Sequence, residues 1–231
     1  MLDRRRLLQA LAMGSAAGGA FPGVLRAQEA GLISGDVCLV QPETTEGPYY
    51  IDTGLVRADI TEGRAGLPLR LRLQVVTADC TAIAGARVDV WHCDAAGVYA
   101  GVDGDTGTFL RGSQMTGADG VVTFSTIFPG WYSGRVVHVH YKVFLPGGAE
   151  VLTSQVFFDD DAATAVHTGH AAYMARGVQD RSLGADRIAQ AAGRGAVAQV
   201  TLGDMAEAAL VVGVDSAGPS GGLWQRLFGR G

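Results

Sequence analysis

Lysine, charged residues in general and long apolar runs are all scarce in this sequence. Lysine occurs once in 231 residues, at Lys142, so Schiff-base chemistry has a single candidate nucleophile. No G-x-x-x-x-G-K-S/T run is present to hold nucleotide phosphates. Charged residues make up only 18%, and the formal net charge of −5 argues against a general nucleic-acid binder. The 48% share of hydrophobic residues is that of a packed globular domain.

Proline is also scarce, with 7 residues, whereas glycine is abundant, with 34 and no G-X-Y repeat. This composition favours a turn-rich β protein over collagen. Residues 67–75 alternate strictly, with leucine or valine at every odd position, which is typical of a half-buried strand. Further β-rich runs lie at 87–92, 121–127, 135–144, 151–158, 196–202 and 206–214. We predict an all-β fold, an antiparallel β-sandwich with Gly-rich loops, and one or two short helices, at 162–176 and 186–192.

Residues 1–27 are predicted to be an export signal. Three arginines at 4–6 precede an apolar, small-residue run from Leu7 to Phe21. This run is shorter than the roughly 20 residues of a membrane-spanning helix, so we expect no stable membrane anchor. The arginine pair followed by two leucines resembles a bacterial twin-arginine leader, with a general secretory leader as the alternative. We therefore expect an exported protein, periplasmic or extracellular, and cleavage after Ala27 leaves a net charge of −8.

The sequence has three cysteines, and export would place them in an oxidising compartment. An oxidising environment favours one disulfide and one free thiol among Cys38, Cys80 and Cys93. We expect the pair to be Cys38 and Cys80, because Cys93 directly follows the core of a predicted strand. Residues 28–214 are predicted to form one domain, and residues 215–231 a flexible C-terminal tail.

The segment PGWYSGRVVHVH, at 129–140, is the richest in candidate functional groups. His138 and His140 are two apart on a predicted strand, so both imidazoles project from one face and converge on one point. An isolated H-x-H pair is also compatible with two hydrogen-bonded histidines on a solvated face. A facial-triad iron(II) site needs a carboxylate as well, but Phe144 and Leu145 stand where one would follow. Tyrosines are nearby instead, at Tyr99 and Tyr132.

Several motifs occur in a fixed order around these residues. They are TEGPYY at 45–50, WHCDAAGVY at 91–99, FLRG at 109–112, TFSTIFPGWYSGR at 123–135, HVH at 138–140 and SQVFF at 154–158. Together they resemble the intradiol ring-cleavage dioxygenases, the family that includes catechol and protocatechuate dioxygenases. The resemblance covers about Pro42 to Asp160, and six pieces in register make coincidence improbable.

The resemblance implies a non-haem iron(III) cofactor bound by Tyr99, Tyr132, His138 and His140. A phenolate oxygen is a hard anionic donor that suits a hard trication, and a nearby metal charge lowers the pKa of a phenol. The implied reaction inserts O2 between the two hydroxylated carbons of a catechol-type aromatic and gives a muconic-type diacid. Tyr132 would accept a substrate proton. The partners are then a small aromatic diphenol and O2, with no nucleic acid and a possible homodimer.

Other residues receive roles by the same resemblance. Arg135 is expected to stabilise charge on the substrate ring, and Gln155 to lie near the iron-bound oxygens. Pro48, Tyr49 and Trp131 are expected to line the substrate pocket. A surface salt bridge is the simpler alternative for Arg135.

The remaining histidines are not expected to bind metal. We expect His92 to be a hydrogen-bonded core group, and His167 and His170 to be surface residues of a helix.

Two other functions are compatible with parts of the pattern. An exported sandwich could bind aromatics or polymer without turnover, or the H-x-H pair could bind copper or zinc. Neither alternative requires Arg135 together with both tyrosines.

Overall fold

A computed structural model describes residues 40–102 and 105–215. Its eight strands are β1 (Pro68–Thr77), β2 (Arg87–Trp91), β3 (Arg111–Met115), β4 (Val121–Ile127), β5 (His138–Phe144), β6 (Glu150–Phe157), β7 (Gln199–Thr201) and β8 (Ala206–Val214). Three short α-helices lie between β6 and β7, namely α1 (Asp160–Gly169), α2 (Ala171–Met174) and α3 (Arg187–Ala192), and a 3₁₀ turn, Arg194–Ala196, follows them. The predicted all-β sandwich is confirmed.

The strands form two four-stranded sheets, in the orders β4-β1-β8-β7 and β3-β2-β5-β6. The second sheet is antiparallel throughout, but in the first sheet β1 and β8 run parallel. The parallel pair differs from a purely antiparallel sandwich. It arises because the chain returns from β6 through the helices and enters the first sheet as the β7–β8 hairpin, which brings β8 beside β1 in the same direction.

Strand alternation decides which side chains fill the space between the sheets. The odd-numbered leucines of β1 are buried in one hydrophobic cluster with Val139 and Tyr141 of β5 and with Val88 and Val90 of β2. His138 and His140 have the opposite parity, so they lie on the outer face of the second sheet. The loop at 45–50, the loops before β3 and β5, and α3 cover that face, and both histidines are therefore buried.

Two predicted strands have the same bounds in the structure. The runs at 121–127 and 206–214 coincide with β4 and β8. In the predicted run at 135–144 the strand begins only at His138. In the predicted run at 196–202 only Gln199–Thr201 is a strand. Sequence reasoning missed β3, because its residues RGSQM show no apolar alternation and are placed by pairing with β2.

Cys80 is disulfide-bonded, whereas Cys93 is a buried free thiol. The expected partner, Cys38, lies outside the described residues, as do the predicted export signal at 1–27 and residues 216–231 of the predicted tail. Within the described residues, no helix is both long enough and apolar enough to cross a membrane.

Candidate active site

The two histidines of β5 lie at the centre of a buried cluster. In the sheet, His140 is paired with Trp91 of β2 and with Gln155 of β6. The Trp91 ring stacks on the His140 ring, with centroids 4.9 Å apart. His138 and His140 are 2% and 1% exposed, which excludes a pair on a solvated face.

Two tyrosine hydroxyls approach the same point from loops. The His138 Nε2 atom lies 3.1 Å from His140 Nε2, 3.5 Å from the Tyr99 hydroxyl and 3.4 Å from the Tyr132 hydroxyl. The structure thus brings together all four residues that the resemblance singled out. Two nitrogen and two oxygen donors converge around one point.

Glycines allow the two tyrosine loops to pack backbone against backbone. Gly97 has φ +85°, and a Cβ there would lie 2.3 Å from the carbonyl oxygen of Trp131. A Cβ on Gly130 would lie 2.3 Å from the carbonyl oxygen of Asp94. Such distances are far below van der Waals contact, so side chains at 97 and 130 would separate the loops that bear Tyr99 and Tyr132.

The histidines are held as neutral rings. The Nδ1–H of His138 donates to the Val136 carbonyl at 2.6 Å, which leaves its Nε2 lone pair facing the other donors. Burial lowers the pKa of His138 to about 3, with Arg135 adding to the shift, and burial places the pKa of His140 well below its usual range. Both Nε2 atoms are therefore available as ligands at neutral pH.

The pKa values of the two phenols are raised instead of lowered. Burial places the pKa of Tyr99 well above its usual range. Burial also raises the pKa of Tyr132, although the Arg135 guanidinium opposes this shift. The polypeptide alone therefore keeps both phenols protonated, and a bound cation is needed to ionise them.

The donor set fits a metal ion that accepts oxygen and nitrogen. Metal–ligand bonds of about 2.0–2.2 Å place neighbouring donors roughly 3 Å apart, which matches the observed spacing. Within the described residues, no cluster of three or more His, Cys, Asp or Glu could hold a metal. A metal site here therefore requires the tyrosines. The Nδ1 atom of His140 is buried without a hydrogen-bond partner among these residues.

Arg135 and Gln155 lie beside the donors. Arg135 Nη1 donates to the Tyr132 hydroxyl at 3.3 Å, and Nη2 donates to Gln155 Oε1 at 2.6 Å. Gln155 Nε2 donates to the Thr45 carbonyl at 3.1 Å, which connects the group to the loop at 45–50. Arg135 is also paired with Asp186 and is largely buried, so it is not part of a surface salt bridge.

The three expected pocket residues are placed differently from one another. The Tyr49 ring stacks on Tyr99 with centroids 4.5 Å apart and meets Tyr132 edge-on, so it forms one wall of the cluster. Pro48 is exposed in the same loop. The Trp131 indole donates to the Gly177 carbonyl, and its ring is covered by the Arg176 guanidinium at 4.4 Å.

The other three histidines of the chain lie in different environments. His92 is buried and hydrogen-bonded to Thr126 and to the Cys93 carbonyl, as expected for a core group. The expectation that His167 lies on the surface is wrong, because α1 packs its inner side against the sandwich and His167 contacts the Pro129 carbonyl there at 3.1 Å. His170 is half-buried and caps α2.

Sequence reasoning missed Asp186. This carboxylate is 51 residues from Arg135 in the chain, yet its Oδ2 accepts from Arg135 Nε at 2.7 Å. An aspartate at the start of a predicted helix is an N-cap signal. That signal does not indicate that the aspartate contacts Arg135.

Comparisons with known proteins show which family the chain resembles. A family model described as Dioxygenase (Dioxygenase_C) matches residues 45–201. Chlorocatechol 1,2-dioxygenase of Cupriavidus pinatubonensis is 32% identical over 139 residues, which cover 49% of this chain and 53% of that protein. Catechol 1,2-dioxygenase 1 of Acinetobacter lwoffii is 32% identical over 146 residues, which cover 52% and 47%. The chain spans about half the length of these curated relatives.

A solved structure matches over a longer stretch. The intradiol ring-cleavage dioxygenase from Tetranychus urticae superimposes with a TM-score of 0.75 and 30% identity. The match covers 80% of this chain and 98% of that chain. With the family model spanning more than half of the sequence, the chain belongs to the intradiol ring-cleavage dioxygenase family.

Proposed function

We propose that the protein is a non-haem iron(III) dioxygenase that inserts both atoms of O2 between the two hydroxylated carbons of a catechol-type aromatic, giving a muconic-type diacid. The observation that carries the proposal is the convergence of four donors, with the His138 Nε2 atom within 3.5 Å of His140 Nε2 and of both tyrosine hydroxyls. Tyr99, Tyr132, His138 and His140 would hold the iron.

The four donors have complementary electrostatic roles. Bound iron(III) would supply the positive charge that ionises the phenols and draws electron density from an ionised diphenol. The neutral histidines add no charge, so two phenolates would offset most of the charge on the ion. Tyr132 is less buried than Tyr99, which makes its oxygen the more accessible acceptor for a substrate proton.

Arg135 and Tyr49 act on the substrate in this proposal. The Arg135 guanidinium lies next to the Tyr132 oxygen and would stabilise negative charge that develops on the substrate oxygens. Tyr49 presents an aromatic wall beside both tyrosines, on which a flat ring can stack. The net charge of −8 after removal of residues 1–27 disfavours anionic aromatic acids, so neutral catechols are the proposed substrate class.

The test begins with the purified protein reconstituted with ferric iron. Tyrosinate-to-iron charge transfer is expected to colour it red, and zinc-loaded protein serves as the colourless control. Oxygen uptake and product absorbance are then measured with a panel of catechols. Stoichiometric iron and colour without oxygen uptake across the panel would support instead the alternative of an aromatic-binding module without turnover. Absence of bound iron after reconstitution would overturn the metal site itself.

We also propose that the protein acts outside the cytoplasm of a bacterium. The arginine-led segment at 1–27 and the disulfide bond on Cys80 support this proposal, because stable disulfides form in oxidising compartments. Cell fractionation of the wild type and of an Arg5→Lys, Arg6→Lys variant tests it. The wild type is expected in the exported fraction and the variant in the cytoplasm. Cytoplasmic wild-type protein would contradict the proposal.

A further inference from the structure

Asp186 is a buried carboxylate whose two oxygens serve different parts of the fold. Its Oδ1 accepts from the backbone N–H groups of Ile188, at 2.8 Å, and Ala189, at 3.1 Å, and so caps α3. Its Oδ2 accepts from Arg135 Nε at 2.7 Å and from the Val136 backbone N–H at 3.1 Å. Asp186 is 1% exposed, so these four donors replace the water that an ionised carboxylate would otherwise bind.

The bond from Arg135 Nε fixes the plane of the guanidinium. With Nε held by Asp186, the other two nitrogens donate to the oxygens of Gln155 and Tyr132. An arginine side chain otherwise has several rotatable bonds and loses their entropy when it is held in one orientation. A buried carboxylate bound to Nε restricts this freedom before any substrate arrives.

We propose that Asp186 is a positioning residue, which holds the Arg135 guanidinium against the Tyr132 oxygen and couples its orientation to the start of α3. This inference rests on the proposed function, in which Arg135 stabilises charge on the substrate. The ion pair with Asp186 also weakens the electrostatic attraction between Arg135 and an anionic aromatic substrate.

Asp186→Asn separates positioning from helix capping. Asparagine is as good an N-cap as aspartate, so its oxygen can still accept from Ile188 and Ala189. Its amide nitrogen is a donor, however, and it would then face the Nε–H of Arg135 and the N–H of Val136, which are donors too. Asp186→Ser is the second variant, since serine also caps helices and carries no charge.

The first measurement needs no iron. In metal-free protein, hydrogen exchange of arginine Nε–H groups is followed by ¹⁵N–¹H nuclear magnetic resonance, and Arg135→Gln identifies the Arg135 signal. Asp186→Asn is expected to accelerate exchange at Arg135 at least about tenfold. The Nε–H of Arg111, which donates to the Ala100 carbonyl, is the internal reference and should be unaffected. Unchanged exchange at Arg135 in both Asp186 variants would overturn the inference.

The second measurement is a double-mutant cycle in the iron-loaded enzyme. Asp186→Asn is expected to lower kcat by about tenfold or more in the wild-type background, but by less than about twofold in Arg135→Gln. Gln190→Ala is the matched control, because Gln190 donates to the Leu183 carbonyl from the exposed side of α3 and does not touch Arg135. It should lower Tm slightly and leave kcat unchanged. Equal losses of kcat in both backgrounds would show that Asp186 acts independently of Arg135.

The outcomes also distinguish this inference from the proposed function. If the wild type binds iron but consumes no oxygen with any catechol, the proposed function fails, while exchange at Arg135 still tests whether Asp186 holds the guanidinium. If the wild type is active and Asp186→Asn has wild-type kcat and exchange, only the role of Asp186 fails.

Discussion

Tyr99 and Tyr173 show how the same residue type takes different roles through its hydroxyl partners. The Tyr173 hydroxyl donates to the Phe128 carbonyl at 2.6 Å and accepts from the Leu67 backbone N–H at 3.1 Å, so it connects α2 to the sandwich. The Tyr99 hydroxyl instead faces the nitrogen of His138. Both phenols are buried, but only one points to other candidate ligands.

Replacement by phenylalanine should therefore lower iron retention at Tyr99 and lower stability at Tyr173. Tyr99→Phe keeps the ring that stacks on Tyr49 but removes an oxygen donor, so we expect iron retention to fall at least about tenfold with little change in Tm. Tyr173→Phe leaves two buried backbone groups unpaired and should cost about 1–3 kcal/mol of unfolding free energy, with iron content unchanged. Metal analysis after dialysis and thermal unfolding measure the two effects. Full iron content in Tyr99→Phe would remove Tyr99 from the ligand set.

At the scale of elements, two loops and one strand build the site. β5 places two imidazoles on its outer face by its period of two, and this follows from the sequence pattern. The loops that carry Tyr99 and Tyr132 have no such regular geometry. Their position depends on close backbone contact at Gly97 and Gly130.

Gly97→Ala tests that contact. The new Cβ would lie 2.3 Å from the Trp131 carbonyl oxygen, so we expect the loops to move apart and activity to fall by about tenfold or more. Gly63→Ala is the matched control, because Gly63 also has positive φ, +72°, but has nothing within 4 Å of the added Cβ. It should cost about 1 kcal/mol in stability from backbone strain alone and keep its activity. Equal activity in the two variants would contradict the role of the contact.

At the scale of the whole molecule, buried histidines make the fold sensitive to acid. Burial lowers the pKa of His92 to about 4, against an ordinary value of 6.5, and burial also lowers the pKa of His167. Between pH 6.5 and 4 the unfolded chain binds a proton at His92 and the folded chain does not. The free energy of unfolding therefore falls as pH falls through this range, and above pH 6.5 His92 contributes no pH dependence.

His92→Gln should remove part of this sensitivity. For His92 alone, the free energy of unfolding of metal-free protein should fall by about 2–3 kcal/mol between pH 7.5 and 4.5. Glutamine keeps a polar group near Thr126 but does not titrate, so the variant should lose correspondingly less over the same range. Denaturant unfolding at the two pH values measures the difference, and the comparison within each protein cancels the cost of the lost hydrogen bonds. An identical pH dependence in the two proteins would contradict the assignment.

The sequence by itself determined the features that repeat locally or occur as ordered motifs. Alternation at 67–75 predicted β1, and the spacing of His138 and His140 predicted that they share a face. Motif order pointed to the family and singled out the four donors. The strand, the shared face of the two histidines and the family are confirmed, because strand period and short motifs act over a few residues, within which backbone geometry is fixed.

Tertiary structure alone decided the contacts between distant segments. It placed β3 beside β2, buried His167 against Pro129 and set β8 parallel to β1. It also brought Asp186 to Arg135, which gives the guanidinium its orientation. None of these pairings has a local period or spacing in the sequence. They form because buried polar groups require partners, and packing determines which distant residue supplies each one.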